Sequence, residues 1–552
     1  MIEIINGDWK LIKKVRIKNF KCFKDWFELD LNGGINILVG NNEEGKSTIL
    51  EAIHLALTGF YRGNYINREL SQYLFNREVV EEYLTNINSN SPCALPEIII
   101  EIYFSELDDA NLEGSGNDLG LKEEIGFAFK VLFDNSYEDE YKLFMEKGEL
   151  SSLPIEYYKS EWLGFNRENI TTRGIPSKSF LIDNSSYKYK DGSDQYISNM
   201  IRGTLDNEDL ISISKAFRET KDDFSKNESV KNINEKLSES KSNLGKKVSL
   251  GVNLGSNFNW ESSMITEFDS IPYSNAGRGL QCLLKTELAL NNINTNKDKI
   301  ILIEEPENHL SYSNMNNLIN ILQENSNKES NQIIISTHSS FVLNKLGLEN
   351  LILLSNKKSS KITNLSSDTE KYFKAVSGYD TLRVLLCDKA ILVEGPSDEL
   401  IIQRAYKDRY GKLPIFNGID IISVGTSFLR FLELGDKLDL NLYVVTDNDG
   451  DVEALIRKYK DYESSEKIKI YYDEKTYSGD MDKFNYNTLE PCILRANDLK
   501  TLNSIFNTNK KDSDSILKYM KKNKTNCAVS IFESESKIKY PEYINRVIED
   551  VE

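Results

Sequence analysis

Two parts of the sequence place glycine or acid where apolar runs end. The first is "GNNEEGKST", residues 40–48. It fits G-x-x-x-x-G-K-[ST], a loop whose backbone N–H groups cradle phosphate oxygens. Gly40 and Gly45 let the chain turn, and Asn41, Asn42 and Thr48 complete the cradle. Lys46 would reach the β- and γ-phosphates of ATP, and the Ser47 hydroxyl would face Mg²⁺. "KIILIEEPENHL", residues 299–310, ends a second apolar run in Glu304 and Glu305. Glu304 would hold the Mg²⁺ through water, a place where Asp is commoner, and Glu305 would orient the attacking water. "IIISTHSSF" (333–341) sets His338 beyond a third run, where it would sense a terminal phosphate. "SNAGRGLQ" (274–281) is a Gly-rich lead into a helix, suited either to an ordinary cap or to contacting nucleotide across a dimer. His54 reads as an ordinary packing residue.

The second part joins "AILVEGPSDE" (390–399) to "LYVVTDNDGD" (442–451). Each is an apolar strand that ends in acid, at Glu394 and at Asp447 and Asp449. In a parallel sheet the strand C-termini share one edge, so acids 53 positions apart can converge. Clustered carboxylates repel unless a cation lies among them, and hard oxygen donors suit Mg²⁺ or Mn²⁺. Such an ion lowers the pKa of an attacking water and stabilises charge on a phosphate. Either stretch alone is equally compatible with a turn or a solvated strand end. Their joint occurrence points to phosphodiester chemistry.

The elements that must position these residues follow from periodicity. Residues 11–31 alternate basic and apolar positions, as in a strand, and 35–40 is a buried strand leading to a helix at 46–57. Further strands are expected at 97–104, 127–133 and 141–145, with loops at 105–126 and 185–195. Residues 205–246 are rich in Lys, Glu, Ser and Asn and read as a solvated helical excursion or a dimerisation arm. From 279 the pattern is helix 279–290, strand 299–304, helix 313–324, strand 332–336 and strand 350–354. "SNKKSSK" (355–361) reads as a linker, followed by a helix at 369–387. A second alternating block has strands at 390–393, 419–424, 442–446 and 467–472, with helices at 397–408, 427–434 and 451–460 between them. That is the pattern of a parallel α/β domain.

With 552 residues the chain exceeds what one core serves, so two or more domains are expected. It is 39% hydrophobic and 28% charged, with no apolar run of membrane-spanning length and no apolar leader at its start. Six scattered cysteines form no CxxC pair, which argues against a zinc site or disulfide framework and for the cytoplasm. The net charge of −18 argues weakly against nucleic acid, although bound divalent ions offset clustered acids.

The phosphate loop, Gly-rich lead, Glu-Glu strand and His switch, in that order after "VRIKNFKCF", resemble ABC-type ATPases of the SMC/RecF kind. The pairing of "ILVEGPSD" with a DxD strand resembles the Toprim domain. An ATPase head followed by Toprim resembles the OLD (overcoming lysogenization defect) nucleases, most of all the Gabija-type phage-defence class. The resemblance implies an α/β fold with an ABC/RecF-like ATPase domain over 1–355, holding a helical insertion at about 205–250. It implies a linker and helix over 356–385 and a Toprim domain with C-terminal helices over 386–552. It implies an ATP-binding, metal-dependent DNA endonuclease whose head gates cleavage. Glu394 would be a metal ligand or base, Asp447 and Asp449 metal ligands, and Asp398 and Glu490 further acids. Cys492 stands where some relatives carry another acid. Lys524 would stabilise the transition state, and 540–551 reads as the closing helix. Implied partners are DNA, further copies in a dimer or tetramer, and a helicase-like or other defence protein. The alternatives are an ATP-dependent clamp or sensor that does not cleave, and a Toprim topoisomerase or primase.

Overall fold

A computed structural model describes residues 11–552 apart from 90, 92, 106–108, 146–149, 184–206, 240–266, 292–297, 309, 327–330, 363–364 and 376–379. The expected loop at 185–195 and parts of the helical excursion lie outside the described residues. The chain divides into two compact units, Met1–Leu38 with Glu43–Thr337, and Val39–Asn42 with His338–Glu552.

The first unit holds two sheets. One is antiparallel and contains β1 (Ile12–Lys18) and β2 (Phe27–Asp30). After β3 (Ile35–Gly40) and helix α1 (Lys46–Thr58) the chain returns to it as β4 (Ile98–Phe104), β5 (Glu124–Phe133) and β6 (Tyr158–Gly164). The buried Arg16 guanidinium bridges strands here, donating to Glu28 at 3.0 Å and Glu101 at 2.9 Å. The second sheet is parallel in this unit, in the order β7 (Ser177–Asp183), β8 (Asp298–Glu304), β9 (Asn331–Ser336), β3. Between β7 and β8 come helices α2 (Asn207–Lys226), α3 (Glu228–Glu239) and α4 (Arg278–Asn291). β3 and β9 are buried at every position, so their sequences are continuous apolar runs.

Residues 141–145 are not a strand. They end a helix, Glu138–Met145, whose first turn carries Glu138, Asp139 and Glu140 and whose Lys142 pairs with Glu138 at 2.6 Å. Acids at a helix start and an i, i+4 pair outweigh the short apolar run.

In the second unit helix α5 (Ser340–Leu346) packs on α6 (Ser367–Ala375) and α7 (Asp380–Leu386), which is why this unit begins at His338. Between them, 355–361 is not a plain linker, because Lys358–Lys361 pairs antiparallel with the strand Leu351–Ser355. Asn356 and Lys357, both at positive φ, make the two-residue turn that this hairpin needs. The helix expected over 369–387 is two helices, α6 and α7.

A four-stranded parallel sheet forms the centre of this unit. Numbering on from β9, its strands are β10 (Lys389–Val393), β11 (Ile419–Ser423), β12 (Asn441–Val445) and β13 (Ile468–Tyr471), in the order β11-β10-β12-β13. Helices α8 (Pro396–Tyr410), α9 (Phe428–Lys437) and α10 (Val452–Tyr459) connect them, as the alternation predicts. Five short helices close the chain, α11 (Leu489–Ala496), α12 (Leu499–Phe506), α13 (Ser513–Lys522), α14 (Lys524–Glu533) and α15 (Glu542–Val551). Their apolar faces join β10 and β12 in one core that includes Ile391, Tyr406, Ile493, Phe506, Ile531 and Val547. No described helix is long and apolar enough to cross a membrane.

Candidate active site

In the first unit parallel register sets the chemistry. Asp183, Glu304 and Ser336 are aligned at the ends of β7, β8 and β9. Gly45 precedes α1 at φ +98, and a Cβ there would meet the Phe23 ring at 2.6 Å and the Cys22 thiol at 2.9 Å. Only glycine suits both the conformation and the space. Lys46 is buried, and burial lowers its pKa against the pull of Glu305, Glu44, Glu307 and Glu304. The Ser47 hydroxyl hydrogen-bonds Glu304. Burial raises the Glu304 carboxyl to about 7, with Asp183, Glu51 and Glu305 adding to the rise. The loop serine and the strand-end acid are therefore together, as the motif spacing requires.

Glu305 occupies the left-handed region at φ 41. Its backbone N–H donates to Ser336 O at 2.9 Å, and Asn308 donates to its carboxylate at 2.6 Å. Glutamate seldom adopts that conformation, so these two hydrogen bonds hold it in place. Glu307, not singled out from sequence, accepts from the Thr337 hydroxyl at 2.9 Å. His338 is exposed and follows Thr337, whose N–H donates to Leu38 O at 3.2 Å. Asn41 donates to Leu386 O at 2.9 Å, and Asn42 is exposed. Thr48 is buried and accepts from the Cys22 thiol at 3.6 Å. In the Gly-rich lead, Gln281 donates to Tyr273 O at 2.8 Å and Ala276 O at 3.0 Å, the contacts of a helix start. Gly45, Lys46, Ser47 and Glu304 fit a nucleotide's phosphates and its ion in charge and donor type.

In the second unit β10 and β12 lie side by side, with Leu392 opposite Val444. Glu394 and Asp447 therefore leave the sheet at the same edge. Burial raises the Asp447 carboxyl well above the usual range, and Asp398, Glu394, Glu490 and Asp449 push it further. Burial raises Asp398 to about 6, with Glu394 and Glu490 contributing. The Asp398 carboxylate also accepts the Gly395 N–H at 3.0 Å, capping its own helix. Glu490 is buried, and Lys524 pairs with it at 3.3 Å. The Lys524 ammonium also feels Asp447 and Asp398. Six residues expected from sequence are thus brought into one electrostatic cluster.

They do not form a closed ligand cage. Among the described residues no three His, Cys, Asp or Glu side chains are gathered closely enough to hold an ion. Glu394 and Asp449 are exposed, and Asp449 accepts from Asn485 at 2.8 Å. Asp449 sits at φ 48 before Gly450 at φ +87, so the turn itself aims its side chain. The donor set suits a hard divalent cation, while its spacing is wider than a finished site.

Two family profiles match the chain. One, AAA ATPase domain, matches residues 11–147 and 102–343. The other, overcoming lysogenization defect protein-like TOPRIM domain, matches 385–449. The chain belongs to the AAA ATPase domain family and carries an OLD-like Toprim domain. It is 24% identical to the OLD nuclease of Thermus scotoductus (strain ATCC 700910 / SA-01) over 79% of each chain. It is 41% identical to the DNA replication and repair protein RecF of Lactococcus lactis subsp. cremoris (strain MG1363) over 11% of this chain, but spans only 17% of that protein. A solved Smc head bound to the C-winged helix domain of ScpA shares 17% identity, covering 65% of this chain and 98% of that one. Its TM-score of 0.32 is too low to fix the arrangement of the elements.

Three residues besides Glu307 carried no expectation from the sequence. Asp183 ends β7 beside Glu304, and "SFLID" carries the same apolar-then-acid signal. Asp473 follows β13 and lies 3.7 Å from Arg495, with the Cys492 thiol 3.9 Å from its carboxylate. "IYYDE" could have shown it. Asn485, which holds Asp449, lies in an irregular loop and carried no signal.

Proposed function

We propose that the chain is a divalent-metal-dependent DNA endonuclease of the OLD family and Gabija type, with an ATP-binding head that gates the Toprim site. The observation that carries this reading is the half-buried Asp447, surrounded by the acids Glu394, Asp398, Glu490 and Asp449, with the Lys524 ammonium coupled to it. Such an excess of carboxylate at a parallel-sheet edge favours Mg²⁺ or Mn²⁺. Asp447, Glu394 and Asp449 would hold the ion, which supplies Lewis-acid stabilisation of a phosphate. Lys524 adds a mobile positive charge for the scissile group, and the raised Asp398 carboxyl can carry a proton near neutrality.

ATP would bind through Gly40–Ser47, with Glu304 on its ion, Glu305 orienting water and His338 sensing the terminal phosphate. Kinship to the OLD nuclease supports a DNA substrate and a setting in phage defence. It also supports assembly as a dimer or tetramer, a cytoplasmic location and a helicase-like or other defence partner. The wide carboxylate spacing favours a second reading, an ATP-dependent DNA clamp that does not cleave. Supercoiled plasmid incubated with the purified chain and Mg²⁺ or Mn²⁺ separates them. Nicked or linear product that disappears with Asp447→Asn supports the nuclease, and retention of intact plasmid supports the clamp.

A further inference from the structure

Beside Asp449 lies an open cavity of about 400 Å³, the size of a small-ligand site. Tyr477, Phe484 and Tyr486 line it together with Lys483 and Asn485. The loop that forms it is tightly built. Tyr477 N–H donates to Asn487 at 2.6 Å, and Asn487 returns a bond to Tyr477 O at 2.9 Å. Gly479 lies against the Tyr486 ring, where a Cβ would approach to 2.2 Å. The rings carry cations. The Arg495 guanidinium sits 3.7 Å from the Tyr477 ring centre and Lys521 sits 4.8 Å from that of Phe484. Asp473 and Glu474, which precede the loop, are answered by Arg495 at 3.7 Å and Arg546 at 2.8 Å. Asp480 and Asp482 are exposed and do not line the cavity.

A second observation extends the surface. The exposed Lys511, Lys518, Lys521 and Lys522 lie on and just before α13, whose end adjoins Lys524. Asp512 and Asp514 stand at the start of this helix, so in a chain of net charge −18 it is the helix end, Lys518, Lys521 and Lys522, that forms a local basic patch next to Lys524. Aromatic rings set among cations are the pattern that stacks unpaired bases while the cations follow the backbone.

We propose that the Tyr477–Asn487 loop is a nucleobase-stacking platform that directs the Toprim site to single-stranded or locally unpaired DNA. The inference rests on the DNA-cleaving reading above for its substrate and adds the strand state. A base seated on Phe484 and Tyr477 places the adjoining phosphate toward Asp449, which lines the same cavity. A stacked duplex cannot offer its bases to these rings.

The test is binding by the full chain in EDTA, so that cleavage plays no part. The probes are a single strand of about 20 nucleotides, which exceeds one stacking site, carrying 2-aminopurine, and the duplex of the same sequence. Single strand should bind at least about tenfold more tightly than duplex, with quenching of 2-aminopurine. Tyr477→Ala and Phe484→Ala should each weaken single-strand binding about tenfold and relieve the quench, leaving duplex binding within about twofold. Phe484→Leu, which keeps apolar volume without the ring, should behave like Phe484→Ala, and Phe484→Tyr should bind like the parent. Equal affinity for the two forms, or ring variants that bind single strand as well as the parent, would overturn the platform. So would an equal loss on single strand and duplex. If single-strand preference and the Phe484 effect hold while no DNA is cut with Mg²⁺ or Mn²⁺, the platform stands and only the nuclease reading fails.

Discussion

Asp398→Asn isolates the electrostatic cost of the carboxylate cluster. The folded protein holds Asp398 at about 6 against an ordinary 3.8, through burial first and then Glu394 and Glu490. Because the folded pKa is raised, the folded state binds the proton more tightly than the unfolded chain. The contribution of Asp398 to stability is then greatest below pH 3.8 and falls as pH rises to about 6, above which its full cost is present. That rise corresponds to about 2–3 kcal/mol, allowing for solvent screening at the partly exposed edge of the carboxyl. Asparagine has no charge to lose, and its side-chain oxygen can still accept the Gly395 N–H. Without divalent ions at pH 8, the variant should therefore be more stable than the parent. For a unit of roughly 200 residues this is a rise in Tm of about 5–10 °C, shrinking toward zero near pH 4. Differential scanning calorimetry in EDTA from pH 4 to 8 measures it. Added Mg²⁺ or Mn²⁺ should narrow the gap by stabilising the parent more, and plasmid cleavage should fall at least about 100-fold. A variant less stable than the parent at pH 8, or a gap independent of pH, would refute the argument that burial and the neighbouring acids together penalise the charged Asp398 carboxylate.

Three further outcomes are expected. Lys46→Ala should reduce ATP hydrolysis at least about 100-fold while leaving plasmid nicking measurable, and loss of both would contradict two separable sites. His54 is half-buried, hydrogen-bonded with Ser179 at 2.8 Å, and desolvation holds it down to about 4. Its unfolded pKa is higher, so the parent should lose about 3 kcal/mol of stability as pH falls from 6.5 to about 4, and His54→Gln should flatten that slope in urea titrations. Lys524→Ala leaves the buried Glu490 without its partner and should lower stability by about 1–2 kcal/mol and cut nicking, whereas Lys524→Arg should keep most of both; equal stability of the parent and the Ala variant would show that Lys524 lies idle.

The strands and helices around both candidate sites were legible because buried parallel strands are unbroken apolar runs, and their ends are marked by Gly or acid. "INILVG", "KIILIE", "AILV" and "LYVV" each became the strand expected. Helix Glu138–Met145 was misread because its apolar residues are few and charge at its start decides the matter. The hairpin at Lys358–Lys361 was invisible because a polar strand held by backbone pairing has no hydrophobic period. At the candidate sites, convergence of Glu394 with Asp447 followed from sheet logic. The hold of Asn485 on Asp449 did not, since it depends on a loop closing back across 36 residues. Nor could residue types foretell that Asp398 would cap its own helix, or that the acids would stop short of ligand spacing.

The metal is the point on which the account turns. Crystals of the full chain grown with Mn²⁺ and measured at the manganese absorption edge would locate it directly. The account predicts an anomalous peak at about 2.2 Å from the Asp447 carboxylate, with Glu394 or Asp449 drawn onto it, and no such peak in Asp447→Asn. A bound phosphate loop ion without any peak at Asp447 would contradict it.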